Sequence, residues 1–362
     1  MSNSLDKARK EINEIDRQMA ELFVQRMHAV EAVAEYKKER GMAIFDEARE
    51  EELIRRNSAL IDDETLREYY VNFLRGGMSV SKAYQERLMN GMKVAYSGTE
   101  GAFAYIATCK LYPTAQKVAY PDFKSAYRAV EKGECDIAVL PVENSYNGEV
   151  GQVTDLMFSG SLYVNGMLDL PITQDLLAKK GVSIDEIRQV VSHPQALGQC
   201  DVYIKRHGLL TREFANTALA ARWVSENEDR SVAAICSREC ADIFDLQVIE
   251  HDINESRTNS TRFAIFSKVA KKCEPKESGM HSILLFTVRN EAGALAKAIN
   301  IIGQHGFNMR TLRSRPMKEL IWQYYFYVEV EGNIQTEEGN KLIHSLNEFC
   351  DKLKFAGSYI KL

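Results

Sequence analysis

Features that direct a protein to a membrane, a metal or nucleic acid are missing from this sequence. No apolar run approaches the roughly 20 residues that a membrane span needs, and the charged N-terminus, with Asp6, Lys7 and Arg9, has no apolar signal-peptide core. The 7 histidines show no metal-ligand spacing such as H-E-x-x-H. A formal net charge of -5 gives no basic excess for nucleic acid.

The cysteines also lack a pattern. There are 7, an odd number, and none form a C-x-x-C pair, which favours reduced thiols over a disulfide framework. With 45% hydrophobic and 27% charged residues the composition is that of a globular protein, and 362 residues predict two or three domains. We therefore expect a cytoplasmic protein without a metal, and without a nucleic-acid or membrane partner.

The first 90 residues are predicted to be helical. Residues 4–40 contain neither Gly nor Pro, and apolar residues recur every three to four positions: Leu5, Ala8, Ile12, Ile15, Met19, Leu22, Ala29, Val33 and Tyr36. A helix of roughly 50 Å cannot bury this stripe in one small domain, so we expect partner helices, including those of another subunit. Gly41 ends the helix, and Asp46 and either Asp62 or Asp63 can cap two more, over about 47–60 and 64–88.

An α/β pattern begins after Asn90-Gly91. Short strands alternate with helices up to about Lys268, which indicates a largely parallel sheet. The polar stretch 271–279 is a predicted linker. From about His281 the order is strand, helix, strand, strand, helix, strand, which is the ferredoxin-like arrangement. The predicted domains are therefore 1–90, 92–270 and 280–362.

A cation interrupts the apolar stripe of the first helix. Arg26 lies where an apolar residue is expected, and a charge on a core-facing position is costly unless it is paired. A structural arginine whose head reaches solvent is an equally good explanation. Lys37 points the same way as Arg26, about 20° around and about 16 Å along the helix, so the two can hold a small dianion. Ser81 and Gln85 share one face of the third helix.

These residues carry a resemblance. Arg9, Arg26, Lys37, Asp46-x-x-Arg49-Glu50 and Ser81-x-x-x-Gln85 together resemble the all-helical chorismate mutases over residues 1–90. The resemblance implies an intertwined dimer in which Arg9 reaches the partner's site. It implies a unimolecular rearrangement that needs no cofactor, only a held conformer and a stabilised ether oxygen. Its implied site comprises carboxylate clamps (Arg9, Arg26, Arg49), donors to the ether oxygen (Lys37, Gln85), a partner for the substrate hydroxyl (Glu50), and the further positions Asp46 and Ser81.

Four polar segments punctuate the α/β region. They are Gly98-Thr-Glu-Gly101, Glu143-Asn144-Ser145, Ser192-His193-Pro194-Gln195 and Asn259-Ser260-Thr261-Arg262-Phe263. Ligands collect at the carboxyl ends of strands in open α/β sheets, and a glycine turn before a helix can bind an anion. Taken singly, most are better explained as structural, for instance Ser192 as a helix cap.

The order E-N-S, S-H-P-Q, T-R-F resembles prephenate dehydratase over about residues 93–268. The resemblance implies two α/β lobes, like those of a periplasmic binding protein, with the site in their cleft. Thr261 is the implied catalytic residue, as a positioned hydrogen-bond donor because its hydroxyl is a very weak acid. Arg262 is the implied carboxylate anchor or lobe organiser, and Glu143 or His193 can supply protons, although His193 is equally explicable as structural. Further implied lining residues are Asn144, Ser145, Ser192, Gln195, Thr217 and Phe263.

Two local departures from the resembled families affect expectations. Ala102 and Ala104 stand in the glycine turn where the dehydratases usually have hydroxyls, so contacts there would come from backbone. The C-terminal pattern resembles ACT domains, which bind amino acids at dimer interfaces. The implied effector positions are Gly293-Ala294-Leu295 and Arg313-Ser314-Arg315-Pro316, where Arg313 replaces the glutamate of E-S-R-P. A dimerisation module without an effector is the alternative.

Together these patterns predict a multidomain enzyme of phenylalanine biosynthesis. It joins an all-α mutase domain, a two-lobed α/β dehydratase domain and a ferredoxin-like α+β ACT domain. We expect it to turn chorismate into prephenate and prephenate into phenylpyruvate, without a cofactor, as a homodimer or higher homo-oligomer regulated by phenylalanine. Arogenate dehydratase activity and a catalytically silent amino-acid sensor are the alternatives.

Overall fold

The computed structural model describes residues 2–256, 258–272, 279–317 and 323–362. The chain forms two compact units, Met1–Met92 and Lys93–Leu362. In the described ranges no helix has both the length and the apolar character to cross a membrane. Most of the predicted linker, residues 273–278, lies outside the described residues.

The first unit consists of three helices. They are α1 (Ser2–Glu39), α2 (Glu47–Ser58) and α3 (Glu64–Asn90), close to the predicted bounds. Asp46 caps α2 by accepting from Arg49 N at 3.0 Å, and Asp63, rather than Asp62, caps α3. The apolar stripe of α1 stays exposed between Leu5 and Leu22, the latter with 62% of its surface accessible. This single chain therefore leaves uncovered the stripe for which the sequence predicted partner helices.

The first sheet of the second unit is mixed. Its order is β2 (Gln116–Tyr120), β1 (Lys93–Ser97), β3 (Ile137–Asn144), β11 (Ser260–Ser267) and β5 (Tyr163–Pro171), with β4 (Gly148–Glu149) beside β3. The helices are α4 (Phe103–Leu111), α5 (Phe123–Lys132) and α6 (Gly151–Ser159). The first three strands are parallel, but β11 is antiparallel to β3 and β5. The chain leaves this sheet at Pro171 and returns opposite it at Ser260, so the largely parallel sheet predicted here is wrong.

The second sheet is also mixed. Its order is β10 (Leu246–Glu250), β6 (Asp175–Lys179), β9 (Val232–Cys236), β7 (Gln189–Ser192) and β8 (Leu210–Glu213). A 3-10 turn (Ile184–Glu186) and four helices accompany it: α7 (Pro194–Gln199), α8 (Asp201–Arg206), α9 (Thr217–Glu226) and α10 (Glu239–Ile243). The two sheets with their helices are the two lobes of the α/β region. His193, not Ser192, caps α7, because Ser192 is the last residue of β7.

The third sheet has the predicted ferredoxin-like order. Its elements are β12 (Met280–Thr287), α11 (Ala294–Gln304), β13 (Met309–Pro316), β14 (Tyr324–Glu331), α12 (Glu337–Phe349) and β15 (Lys352–Ile360), with strand order β13-β14-β12-β15. One face, with Leu284 and Phe286, is covered by α11 and α12. The other face, with Ile283 and Leu285, shares a core with Tyr127 of the first lobe. This shared core accounts for the joining of residues 93–362 into one unit.

Candidate active sites

The side chains of Asn144 and Thr261 meet at one end of the first sheet. Strands β3 and β11 place Thr261 opposite Asn144. Asn144 Nδ2 lies 2.9 Å from Thr261 Oγ1 and 2.9 Å from Asn259 Oδ1, and 3.2 Å from the Ser260 carbonyl oxygen. The structure thus brings together the E-N-S and T-R-F segments, which the chain separates by more than a hundred residues.

Two backbone amides fix which way the Asn144 amide points. Tyr146 N and Asn147 N each lie 3.0 Å from Asn144 Oδ1. Backbone N–H groups only donate, so the atom that they contact is the oxygen, and the NH₂ group faces Thr261. Thr261 Oγ1 therefore accepts from Asn144, and its own single proton remains available for another partner. This is the arrangement that a hydroxyl needs in order to act as a hydrogen-bond donor to a substrate.

Asn259 joins this cluster, although its position two residues before Thr261 was the only sequence signal for it. Its side chain is only 4% exposed. Its Nδ2 is buried and has no hydrogen-bond partner among the described residues. A buried amide donor without an acceptor is costly unless a ligand or water meets it. Ser145, by contrast, has a structural role, because its Oγ donates to Thr258 O at 3.1 Å and accepts from Ser260 N at 3.0 Å.

The predicted residues of the second lobe have local partners. Ser192 is fully buried and donates to Ile235 O, and His193 Nδ1 accepts from Gln195 N at 3.3 Å. The Gln195 side chain is exposed, and Thr217 is the first residue of α9. In the described part of the chain none of these four side chains hydrogen-bonds Asn144 or Thr261.

The glycine turn of the first lobe touches the second lobe. Cys240 Sγ, in α10, donates to Gly101 O at 3.5 Å. A Cβ on Gly101 would lie 3.1 Å from that sulfur and 3.1 Å from the Phe244 ring. Because Gly101 also has a φ of +83°, a side chain at position 101 would strain this contact between the lobes.

Arg262 and Glu143 lie away from the Thr261 hydroxyl, at a contact with the third sheet. Neighbouring residues of a strand point to opposite faces, so these two side chains leave the sheet on the side opposite Thr261 and Asn144. Arg262 Nε donates to Asp169 Oδ1 at 3.0 Å, and its Nη1 lies 3.4 Å from Glu329 Oε2. The Glu143 carboxylate accepts from Arg313. Of the two roles predicted for Arg262, organiser and carboxylate anchor, this geometry favours the organiser.

Two neighbours of Arg262 complete this description. Phe263 is buried in the core at 2% exposure, so it does not line a cleft. Burial raises the pKa of the Asp169 carboxyl, but the hydrogen bond and charge of Arg262 outweigh burial and leave that pKa below its usual range. Asp169 therefore remains a charged partner for Arg262 at neutral pH.

In the helical unit, Arg26 meets the third helix. Arg26 Nη1 donates to Ser81 Oγ and lies 3.2 Å from Gly77 O. Ser81 and Gln85 are buried. Gln85 Nε2 is 3.4 Å from Ser81 O, and its Oε1 has no partner among the described residues. Arg26, Ser81 and Gln85 are thus brought together, with the Gln85 amide group turned toward its own helix.

The remaining predicted mutase residues are placed around this group. Glu50 pairs with Lys82 at 2.8 Å, a partner that the sequence analysis missed. Lys37 Nζ donates to Ile44 O at 2.6 Å. Arg49 Nη1 pairs with Glu52 at 2.8 Å, while Asp46 serves as the cap of α2. Arg9 is exposed and makes no hydrogen bond or ion pair in the described ranges.

The predicted effector positions flank α11 and β13. Gly293 caps α11, Ala294 is buried, and Leu295 lines a cavity of about 490 Å³ with Glu291 and Phe326. Ser314 and Pro316 pair in register with Phe326 and Tyr324. Arg315 Nε donates to Asp155 at 3.0 Å, so both arginines of R-S-R-P contact the first lobe.

No group of His, Cys, Asp and Glu side chains within the described residues has a metal-binding arrangement.

Matches to known families cover most of the chain. The chorismate mutase type II model matches residues 8–86, the prephenate dehydratase model residues 94–271, and the ACT domain model residues 282–348. These matches confirm the three parts predicted from the motifs.

Two relatives extend the match. The bifunctional chorismate mutase/prephenate dehydratase of Aquifex aeolicus is 30% identical over 99% of this chain and 98% of its own length. The arogenate dehydratase/prephenate dehydratase 2 of Arabidopsis thaliana chloroplasts is 32% identical over 77% of this chain and 76% of its own length.

A solved structure confirms the fold of the second unit. The prephenate dehydratase of Arthrobacter aurescens, solved with L-Phe, superposes with a TM-score of 0.68 at 24% identity, over 74% of this chain and 90% of that one. The predicted fold classes, a helical domain, a dehydratase domain and an ACT domain, are thereby confirmed. With a relative of this identity matching almost end to end, the chain belongs to the family of bifunctional chorismate mutase/prephenate dehydratases.

Proposed function

We propose that this chain catalyses two consecutive steps of phenylalanine biosynthesis. The helical unit rearranges chorismate to prephenate, and the α/β lobes convert prephenate to phenylpyruvate, water and carbon dioxide. The observation that supports this most is the Asn144–Thr261 hydrogen bond of 2.9 Å, which joins two dehydratase motifs. The domains are proposed at 1–90, 92–270 and 280–362.

In the dehydratase step, negative charge develops on the ring hydroxyl oxygen of prephenate as its bond to carbon breaks. This oxygen takes a proton from solvent and leaves as water, and the ring carboxylate leaves as carbon dioxide. The electron pair of the broken carbon–carbon bond completes the aromatic ring. Thr261 donates a hydrogen bond to the departing hydroxyl, because Asn144 occupies an acceptor site of its oxygen and leaves its proton available. Asn259 Nδ2, buried without an acceptor, supplies a second donor to the substrate.

In the mutase step, the substrate carboxylates are clamped by Arg26 and Arg49, with Arg9 supplied across a homodimer. The exposed stripe on α1 supports that dimer, because a contiguous apolar surface that includes Ile12 (56% exposed) and Met19 (41%) is typical of a protein–protein contact. Lys37 and Gln85 donate to the ether oxygen after they turn from Ile44 O and Ser81 O. Glu50 binds the substrate hydroxyl.

The C-terminal domain is proposed to bind phenylalanine and to inhibit the dehydratase, with Leu295 and Arg313-Ser314-Arg315-Pro316 near the effector. Cytoplasmic localisation and an oligomer larger than a dimer remain predictions. Arogenate is a second candidate substrate, because one relative bears the name arogenate dehydratase/prephenate dehydratase. Arogenate carries an amine where prephenate carries a keto group.

Reciprocal variants test the two-site proposal. Thr261→Ala should abolish phenylpyruvate formation from prephenate while leaving chorismate consumption near normal, and Thr261→Ser, which keeps the hydroxyl, should retain part of the dehydratase activity. Arg26→Ala should do the reverse, since it removes a carboxylate clamp. Dehydratase turnover retained in Thr261→Ala would reject the role of Thr261. Assays with arogenate as substrate, and with added phenylalanine up to millimolar concentration, test the substrate choice and the regulation.

A further inference from the structure

Four alternating charges join the third sheet to the first. Arg313 of β13 donates to Glu143 Oε1 of β3. The other Glu143 oxygen lies 3.7 Å from Arg262 Nη1 of β11, and the same Nη1 lies 3.4 Å from Glu329 Oε2 of β14. We call Arg313, Glu143, Arg262 and Glu329 the interface ion cluster. It forms an electrostatic chain that begins and ends in the C-terminal domain and passes through both strands that carry the dehydratase motifs.

The interface ion cluster is partly buried. The side chains of Arg313 and Glu143 are 25% and 30% exposed, and Glu329 is only 4% exposed. Partly buried pairs are screened less than surface pairs, so each charge depends on its neighbours. Among the residues that the structure describes, Glu143 has two cationic partners, and Arg313 is the closer of them. Loss of Arg313 would leave Glu143 with Arg262 alone, and a negative charge at position 313 would repel it.

The interface ion cluster lies directly behind the proposed dehydratase site. Glu143 immediately precedes Asn144, and Arg262 immediately follows Thr261. The two strands are in register here, with Arg262 opposite Glu143 and Thr261 opposite Asn144. The ladder between β3 and β11 becomes irregular after Arg262, whereas β11 stays in regular register with β5 from Ser260 to Ile265. Side-chain pairs on the back of the two strands are therefore well placed to set the position of the two side chains on the front.

We propose that Arg313 is a positioning residue for the dehydratase reaction. By holding Glu143 through Arg313, and Arg262 through Glu329, the C-terminal domain keeps Asn144 and Thr261 at hydrogen-bond distance. The proposal rests on the proposed dehydratase function and adds to it a residue outside the lobes.

The test compares substitutions at position 313 in the full-length protein. Arg313→Glu should lower the dehydratase kcat by about 10- to 100-fold, the range expected when reacting groups shift by up to about 1 Å. KM for prephenate should change little, because the substrate-facing groups remain. Arg313→Met should give a smaller loss, and Arg313→Lys should restore most of the activity. Arg310→Glu is the matched control, since Arg310 lies on the same strand and pairs with Glu331 at 3.0 Å within the third sheet.

A double-mutant cycle separates positioning from general stability. In a Glu143→Gln background, Arg313→Glu should change kcat by less than about threefold, because the repelled charge is gone. Wild-type kcat in folded Arg313→Glu, or an equal loss in Arg310→Glu, would overturn the proposal. If Arg313→Glu does not fold, wild-type kcat in Arg313→Met would overturn it. A wild-type protein that forms no phenylpyruvate from prephenate would instead reject the proposed function itself.

Discussion

Replacing Asn144 with aspartate exchanges one NH₂ group for an oxygen and reverses the hydrogen bonding at Thr261. Tyr146 N and Asn147 N would still donate to the retained oxygen. The new oxygen would face Thr261 Oγ1, where the NH₂ group now lies at 2.9 Å. A carboxylate only accepts, so it would take the proton of Thr261 that the wild-type arrangement leaves available.

The magnitude follows from the bonds that change. Loss of one preorganised donor to a developing negative charge typically costs about 10²- to 10³-fold in kcat, or roughly 3–4 kcal/mol. We therefore expect Asn144→Asp to lower the dehydratase kcat by about 100-fold or more. Asn259 Oδ1 and Ser260 O would also lose their donor, at about 1–3 kcal/mol of folding stability for each unsatisfied group. Rotation of the Asn259 amide, which can present its unused Nδ2 to the new carboxylate, offsets part of that loss.

The assay follows phenylpyruvate from prephenate, with chorismate consumption by the same preparation as an internal standard, because the mutase residues lie in the other unit. Asn147→Asp is the matched control: it adds the same charge on an exposed side chain three residues away. Near-normal dehydratase turnover in a folded Asn144→Asp protein would refute the argument that the Thr261 proton is the catalytic donor. An equal loss in Asn147→Asp would show that added charge, not hydrogen-bond direction, is responsible.

Two further predictions concern the third sheet. Gly357→Ala should lower the free energy of unfolding by about 3 kcal/mol or more, because its φ is +135° and a Cβ would lie 2.1 Å from Val164 O; an unchanged denaturant midpoint would contradict this contact. Burial lowers the pKa of His281 below its ordinary 6.5, although Glu329 opposes the shift. His281 of the unfolded chain therefore takes up a proton near pH 6.5, whereas His281 of the folded chain takes it up only at lower pH. Protonation of His281 thus favours the unfolded chain, and the free energy of unfolding decreases as pH falls below about 6.5. Between pH 7.5 and pH 5.5 the free energy of unfolding, measured by denaturation, should fall less for His281→Gln than for wild type. Equal decreases in the two proteins would contradict a lowered pKa of His281.

Local patterns predicted the elements better than their arrangement. The 3–4 spacing of apolar residues and the aspartate caps predicted α1, α2 and α3, because helix signals lie within a few residues of each other. The direction of β11 could not be predicted in this way. It depends on where the chain re-enters the first sheet after the second lobe, opposite Pro171.

The same limit applied to the sites. The motif strings placed Glu143 beside Asn144, and Arg262 beside Thr261, as if each pair served one cleft. In a strand, however, neighbours point to opposite faces, and the partner of each face is set by tertiary packing. The contact of Glu143 with Arg313, 170 residues away, has no local sequence signal. Asn259 belongs to the fourth polar segment but received no site role, because its unsatisfied Nδ2 becomes visible only once the lobe is folded.

The most direct test of the central claim is a single time course with the purified protein. Chorismate is supplied alone, and chorismate, prephenate and phenylpyruvate are followed together. A bifunctional enzyme predicts that chorismate falls, that prephenate rises and then declines, and that phenylpyruvate accumulates as the end product. Accumulation of prephenate without phenylpyruvate, or chorismate that disappears no faster than in buffer, would contradict the assignment of both activities to this chain.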